Sequence, residues 1–285
     1  MDTANREHWI DSLPAELAEL ARRWRAAQPL PEPNLRRLWQ RLRVEWNYHS
    51  NHLEGNTLTY GETLLLLIHG RTRGEHLIRE YEEMRGHDVA IELVRSHALE
   101  DRPFTEGDLR DWNRIVLKEG FWRAAQTPEG EPTRRWIEPG RYRTQPNHVI
   151  TAAGELFQFA SPEETPARMA ALVHGLRESL AAPRTDLLAL LAKLHHDFTL
   201  IHPFDDGNGR VVRLLLNAVL LRVGLLPLVI RSPDRRRYLD VIAQSDAGDA
   251  APLKQFLGES LRWSLELGLS AVQGMVELNP YADPV

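Results

Sequence analysis

Helix start and stop signals run through most of the chain, and they constrain the fold more than any other feature of the sequence. Thr59 and Glu62 have the spacing of a capping box, in which side-chain oxygens accept from N–H groups at a helix start. Gly70 follows where a left-handed residue would end that helix. With apolar residues at helical spacing between such signals, the sequence predicts a mostly α-helical fold. The predicted helices cover about 34–54, 59–69, 76–99, 105–120, 166–180, 186–201, 209–223, 234–245 and 252–273.

One stretch, residues 121–162, breaks the helical pattern. Prolines and glycines are spaced through it at positions 128, 132, 139, 140, 146 and 154. Such residues mark turns and interrupt helices, so we predict a short β-hairpin here. Its expected arms are Arg141 to Thr144 and His148 to Thr151.

Composition excludes several classes of protein. The net charge of −5 argues against bulk nucleic acid as the main partner. Apolar runs such as 64–68 and 219–221 fall far short of the roughly 18 residues of a membrane-spanning helix. The N-terminal residues show no secretory signal, so a cytoplasmic protein is expected. The absence of cysteine excludes disulfides and thiolate metal sites.

The segment from His202 to Arg213 has the properties of a phosphate site. Pro203 disfavours the helical conformation in the residue before it, so His202 is expected at the end of a helix. Gly207 and Gly209 permit a tight turn into the next helix, whose free N–H groups would bind an anion.

Three charged residues of this segment suit nucleotide chemistry. Arg210 and Arg213 are three residues apart, on one face of the predicted helix, so both guanidinium groups can reach one ligand. Asp206 supplies a carboxylate oxygen of the kind that magnesium prefers.

The segment also resembles a known family. The string HPFDDGNGRVVR matches the Fic signature HPFx(D/E)GNGRxxR at every specified position. SNHLEGNTLT at 50–59 resembles the family's inhibitory motif (S/T)xxxE(G/N), and 234–257 resembles the helices that close its core. The resemblance implies a Fic-type helical core over 101–275, with a β-hairpin flap near 138–152. It also implies an N-terminal helical regulatory region over 1–100 that contains the inhibitory motif from Ser50 to Asn56.

The resemblance implies a protein adenylyltransferase, which transfers AMP from ATP to a Tyr, Thr or Ser hydroxyl group of a target protein. His202 would be the general base, and Asp206 would bind Mg²⁺. The phosphates would contact Gly207, Asn208, Gly209, Arg210 and Arg213. The flap, opening with Gly140, Arg141, Tyr142 and Arg143, would dock the target backbone, and Tyr238 would contact the nucleobase. Homodimers occur in the family, and self-modification is among the expected reactions.

Glu54 is unusual on local grounds. In the predicted helix it lies in the last turn, where a carboxylate opposes the helix dipole at a cost of about 0.3–1 kcal/mol. Residues that violate local rules tend to mark function. The resemblance implies that Glu54, together with Ser50, pairs with Arg213 and inhibits the enzyme.

Four alternatives remain open from the sequence. Glu54 could serve the removal of AMP from a modified protein, either beside the transfer or instead of it. Leu239 and Asp246 replace residues that the family uses near adenine, which leaves another nucleotide donor open. The pairs His87-Asp88 and His196-Asp197 allow a metal phosphohydrolase of the HD type. A scaffold that has the fold without activity is the fourth alternative.

Overall fold

The computed structural model describes residues 3–126, 131–150, 156–182 and 186–278. This part of the chain contains eleven α-helices and four short strands, which confirms the mostly helical fold. The helices are α1 (Thr3–Asp11), α2 (Ala15–Ala26), α3 (Glu32–His52), α4 (Tyr60–His69), α5 (Ile78–Glu100), α6 (Glu106–Leu117), α7 (Thr165–Ala181), α8 (Leu187–Ile201), α9 (Asn208–Arg222), α10 (Arg235–Asp246) and α11 (Ala251–Val272). The strands are β1 (Phe121–Gln126), β2 (Pro132–Ile137), β3 (His148–Ile150) and β4 (Leu156–Gln158). No helix of the described ranges is both long and apolar enough to cross a membrane.

Local signals set most helix boundaries as predicted. The Thr59 side chain accepts from the Glu62 backbone N–H and the Glu62 carboxylate accepts from the Thr59 N–H, which completes the capping box of α4. Gly70 ends that helix with a φ of 66°. Helix α3 ends at His52, two residues before the predicted end. Glu54 therefore lies in the turn after the helix and not in its last turn.

Helix α9 is the centre of the fold. Most of its residues are buried, because α5, α6 and α8 pack around it. The larger of two hydrophobic clusters in the described residues extends from Trp9 to Val276, so the regions 1–100 and 101–275 share buried surface. The start of α9, which carries the predicted phosphate site, is thus fixed by the largest packed part of the molecule.

The predicted hairpin arms are wrong in part. Strand β3 pairs antiparallel with β4, with Val149 opposite Phe157, whereas 141–144 belongs to no strand. The reason is that the Arg143 backbone N–H donates to the carbonyl oxygen of Pro203, and its side chain is buried at the end of α8. Thr151, the end of the second predicted arm, lies outside the described residues. A second hairpin, β1 with β2, was not predicted as a pair of strands.

Candidate active site

His202 lies directly after α8 and has a left-handed backbone, with φ 48° and ψ 60°. Its ring stacks on Phe159, with 4.0 Å between the ring centroids. Burial, followed by the charge of Arg143, lowers the pKa of His202 to about 4. The imidazole is therefore neutral at pH 7 and has a free lone pair, as a general base requires.

Arg143 holds the backbone around His202. Its guanidinium donates to the carbonyl oxygens of His202 at 2.8 Å, Gln145 at 3.1 Å and Ile201 at 3.3 Å, and also to that of Ala160. A cation is favourable here because the C-terminus of a helix leaves carbonyl groups without helical partners. The segment before β3 and the end of α8 are thus joined by one buried side chain.

We expect Arg143→Lys to lower the free energy of unfolding by about 2–4 kcal/mol. Lysine cannot reach four carbonyl groups at once, and each buried polar group left without a partner costs about 1–3 kcal/mol. Urea unfolding would measure the loss. Arg141→Lys, at an exposed position of the same segment, should stay within about 0.5 kcal/mol of the original protein. Equal stability of both variants would contradict the role given to Arg143.

The loop between α8 and α9 is held by two asparagines. The side chain of Asn208 accepts from the Phe204 N–H at 2.9 Å and donates to the Phe204 carbonyl oxygen at 2.7 Å. Asn113 donates to the Asp206 carbonyl oxygen and accepts from the Gly140 N–H, both at 2.8 Å. Because its side-chain amide is used within the loop, Asn208 offers a ligand its backbone N–H group.

The start of α9 has the form of an anion site. Gly207 precedes the helix with a φ of 79°, a conformation that favours glycine. Gly207 provides no side-chain cap, and the N–H groups of the first turn are the ones that an anion would bind.

Glu54 and Ser50 both bind Arg213, as the resemblance implied. Arg213 donates from Nη2 to Glu54 Oε1 at 2.7 Å and to the Ser50 carbonyl oxygen at 2.8 Å, and from Nε to Ser50 Oγ at 2.9 Å. A Cβ atom on Gly209 would lie 2.2 Å from Glu54 Oε1, so any larger residue here would push the carboxylate away. The Glu54 carboxylate thus occupies the first turn of α9 next to Arg213.

The charge state of Glu54 is set by its neighbours. Burial raises the pKa of its carboxyl group, but the charges of Arg213 and Arg210 outweigh it, and the pKa lies below its usual value. The residue is therefore an ionised carboxylate at neutral pH, and its contact with Arg213 is a charge-assisted hydrogen bond.

Tyr238, the predicted nucleobase contact, is buried. It is 5% exposed, its ring stacks on Phe256, and its hydroxyl group lies beside His195 and Arg213. The residue supports Arg213 from the core. Leu239, its neighbour, is 45% exposed, and Asp246 pairs with His196 at 3.1 Å.

Arg210 is paired with a residue that the sequence analysis missed. Its Nη1 lies 2.8 Å from Glu83 Oε2, and its Nη2 lies 3.6 Å from Asp206 Oδ1. Arg79, one turn before Glu83 on α5, lies 2.6 Å from Glu83 and 3.6 Å from Asp206. Nothing in the sequence connects these residues to the motif, because only the packing of α5 on α9 brings them together.

Asp206 fits a magnesium ion of the type that nucleotides bring with them. Magnesium needs only one or two protein carboxylates where phosphates and water supply the other oxygens. The Asp206 carboxylate accepts from the Gly207 N–H at 2.6 Å, which places it beside the start of α9. Its side chain is 17% exposed and is in reach of a ligand there.

The two His-Asp pairs do not support an HD-type metal site. His87 is buried against Trp46, and burial holds its pKa well below the usual value. Asp88 instead forms an ion pair with Arg43. In the described ranges, no three His, Cys, Asp or Glu side chains are grouped so that they could hold a metal ion.

The residues that open the expected flap lie against the motif loop. Gly140 has a φ of 76° and donates to Asn113. The Tyr142 hydroxyl group donates to Glu106 at 2.8 Å, and its ring packs on Phe204. This segment anchors β3 and β4 next to His202.

Comparison with known proteins agrees with this arrangement. The model of the Fic/DOC family matches residues 103–220. A solved structure of a Fic domain containing signaling protein from Bacteroides thetaiotaomicron is 39% identical, with a TM-score of 0.83, and the match covers 92% of this chain and 98% of that one. The curated protein adenylyltransferase Fic of Nematostella vectensis is 29% identical over 79% of this chain and 48% of its own length. That of Culex quinquefasciatus is 28% identical over 84% of this chain and 44% of its own length.

The chain spans about half the length of the curated relatives it matches, whereas it covers almost all of the bacterial structure. The two chains are 39% identical over nearly their whole lengths. This chain also carries the complete signature from His202 to Arg213 at the site described above. The chain therefore belongs to the Fic/DOC family.

Proposed function

We propose that this protein transfers AMP from ATP to a hydroxyl group of a protein. The observation that carries the proposal is the neutral His202 beside the uncapped start of α9. A base that can deprotonate a hydroxyl group therefore lies next to a site that can bind phosphate. The curated relatives are named protein adenylyltransferases, which supports AMP as the group transferred and ATP as its donor.

Several residues of the motif have a part in the proposed reaction. His202 takes the proton of the acceptor hydroxyl group as its oxygen bonds to the α-phosphorus. The bond from that phosphorus to the oxygen bridging to the β-phosphate breaks, and pyrophosphate leaves. The first-turn N–H groups of α9 stabilise charge on the α-phosphate, and Arg210 and Arg213 stabilise it on the leaving group. Magnesium held at Asp206 would neutralise charge between neighbouring phosphates.

The resting state that we propose is inhibited. Arg213 cannot serve a terminal phosphate while its Nη2 atom donates to Glu54 Oε1. The Glu54 carboxylate also repels phosphate from the first turn of α9, where it lies on Gly209. A segment after α3 thus controls a site on α9.

The proposal predicts which part of ATP reaches the acceptor. With the Glu54→Gly variant, magnesium and ATP labelled at the α-phosphate, we expect label to become covalently bound to the chain itself or to a protein in a lysate. With ATP labelled at the γ-phosphate we expect none, because the terminal phosphates leave as pyrophosphate. Label incorporated from the γ-position would indicate phosphorylation and contradict the proposal. GTP and UTP, tested in parallel, would report the preference for the base.

A second candidate reaction rests on the ionised state of Glu54. A carboxylate beside the α-phosphate site is placed to activate water for removal of AMP. The labelled product of the assay above tests this directly. Release of AMP by the original protein, and not by the Glu54→Gly variant, would assign that reaction to Glu54.

A further inference from the structure

One face of the β1–β2 hairpin is turned toward the motif loop. The register places Phe121 opposite Ile137 and Arg123 opposite Arg135, and these four residues form what we call the inner face. Arg123 lies 3.1 Å from Asp206, and Arg135 lies 2.7 Å from Asp205. The Phe121 ring lies under the guanidinium group of Arg79. The hairpin is therefore attached to the candidate active site by three contacts.

The opposite face of the hairpin, which we call the outer face, carries Trp122 and Trp136 and fixes the position of the inner face. Trp122 and Trp136 are directly opposite each other, and their rings meet edge to face with 5.4 Å between centroids. Cross-strand aromatic pairs stabilise one register, and side chains alternate between the faces of a strand. Arg123 and Arg135 are thus held as a pair above the loop.

Asp206 has more positive charge around it than an ion pair needs. Arg79, Arg123 and Arg210 all lie within 3.6 Å of its carboxylate oxygens. Arg79 and Arg210 are also bound by Glu83, so three cations face two carboxylates in this group. The surplus positive charge favours a further anion.

Arg123 is the member of this group that is freest to turn to a ligand. Its side chain is 58% exposed, whereas the side chain of Arg210 is 3% exposed. If a divalent cation takes the Asp206 carboxylate, Arg123 loses that partner. The phosphates that accompany the cation then offer it oxygen atoms close to the same place.

We propose that Arg123 binds the terminal phosphates of the nucleotide, so that the β1–β2 hairpin is part of the nucleotide site. This inference rests on the proposed function. The simpler explanation is an exposed ion pair between Arg123 and Asp206, which would contribute little and would not distinguish one nucleotide from another.

Binding of ATP and of AMP separates these explanations. The parent for the measurement is the Glu54→Gly, His202→Ala double variant, in which Glu54 no longer binds Arg213 and turnover is slowed. Calorimetry with magnesium would give the dissociation constants of both nucleotides. We expect Arg123→Ala to weaken ATP binding about tenfold, the usual effect of losing one charged hydrogen bond, and to change AMP binding less than about twofold.

Arg134→Ala is the matched control. Arg134 is the neighbour of Arg135 on β2, lies opposite Ala124 on the outer face and is exposed. We expect it to change neither dissociation constant. ATP binding that is unchanged or tighter in Arg123→Ala would overturn the inference, as would an equal loss for ATP and AMP. Failure of the parent variant to bind ATP would overturn the proposed function as well, which distinguishes the two failures.

Discussion

Replacing Glu54 by glycine is expected to raise AMP transfer about a hundredfold. In the structure, Arg213 Nη2 donates to Glu54 Oε1 at 2.7 Å, and the carboxylate lies against Gly209. Glycine removes both the hydrogen bond to Arg213 and the carboxylate at Gly209. The Nε atom of Arg213 still donates to Ser50 Oγ, which keeps the guanidinium group in place. A reacting group displaced by about 1 Å costs on the order of 10²-fold in rate, so correct placement of the phosphates should restore about that factor.

The measurement is the initial rate of labelled AMP incorporation at equal ATP and magnesium concentrations. His52→Gly provides the control, because it places a glycine at the same end of α3 and its side chain stacks on Tyr48 instead of binding Arg213. Glu54→Gln should give an intermediate rate, since the amide keeps an acceptor and loses the charge. Equal rates for the original protein and the Glu54→Gly variant would show that Glu54 is not inhibitory.

Features encoded within a few residues were predictable from the sequence. The capping box of α4 and its terminal Gly70 depend on neighbours three to eleven positions away, and both were found as predicted. The segment from His202 to Arg213 is continuous, so its glycines and arginines had to meet at one turn. The contact between Glu54 and Arg213 crosses 159 positions, and only the resemblance to a family made it predictable.

Contacts made by packing were not predictable in this way. Glu83 lies on an ordinary charged helix face in the sequence, and its contact with Arg210 depends on where α5 crosses α9. The resemblance assigned Tyr238 to the base, and nothing in the sequence indicated that its hydroxyl group would also be buried beside Arg213.

The hairpins show the same limit. Phe121 and Trp122 are adjacent aromatic residues, so β1 lacks the alternation by which a strand with one buried face is recognised. Arg141 to Thr144 was assigned to a strand because turn residues flank it. Arg143 in that segment is fully buried and donates to the end of α8, which holds the segment away from a strand. The sequence does not indicate this, because a charged residue is expected at the surface.

The second large effect is expected at His202. In the Glu54→Gly background, His202→Ala should lower the rate of AMP transfer by about 10²–10⁴-fold, the usual contribution of a general base. ATP binding should stay within about threefold, because the proposed phosphate contacts come from α9. His196→Ala is the control, since this histidine lies near the end of the same helix and pairs with Asp246. Full activity in the His202→Ala variant would exclude the proposed base.

The pH dependence gives an independent readout of the same residue. A histidine accepts a proton only in its neutral form, which exists above its pKa. That pKa is about 4 here, and the charge of Glu54 raises it, so removal of Glu54 moves it further down. In the Glu54→Gly variant, kcat/KM should therefore be constant from about pH 5 to 8, with no loss near the ordinary histidine pKa of about 6.5. A fall in kcat/KM centred near pH 6.5 would mean that the base is a solvated histidine and not the buried His202.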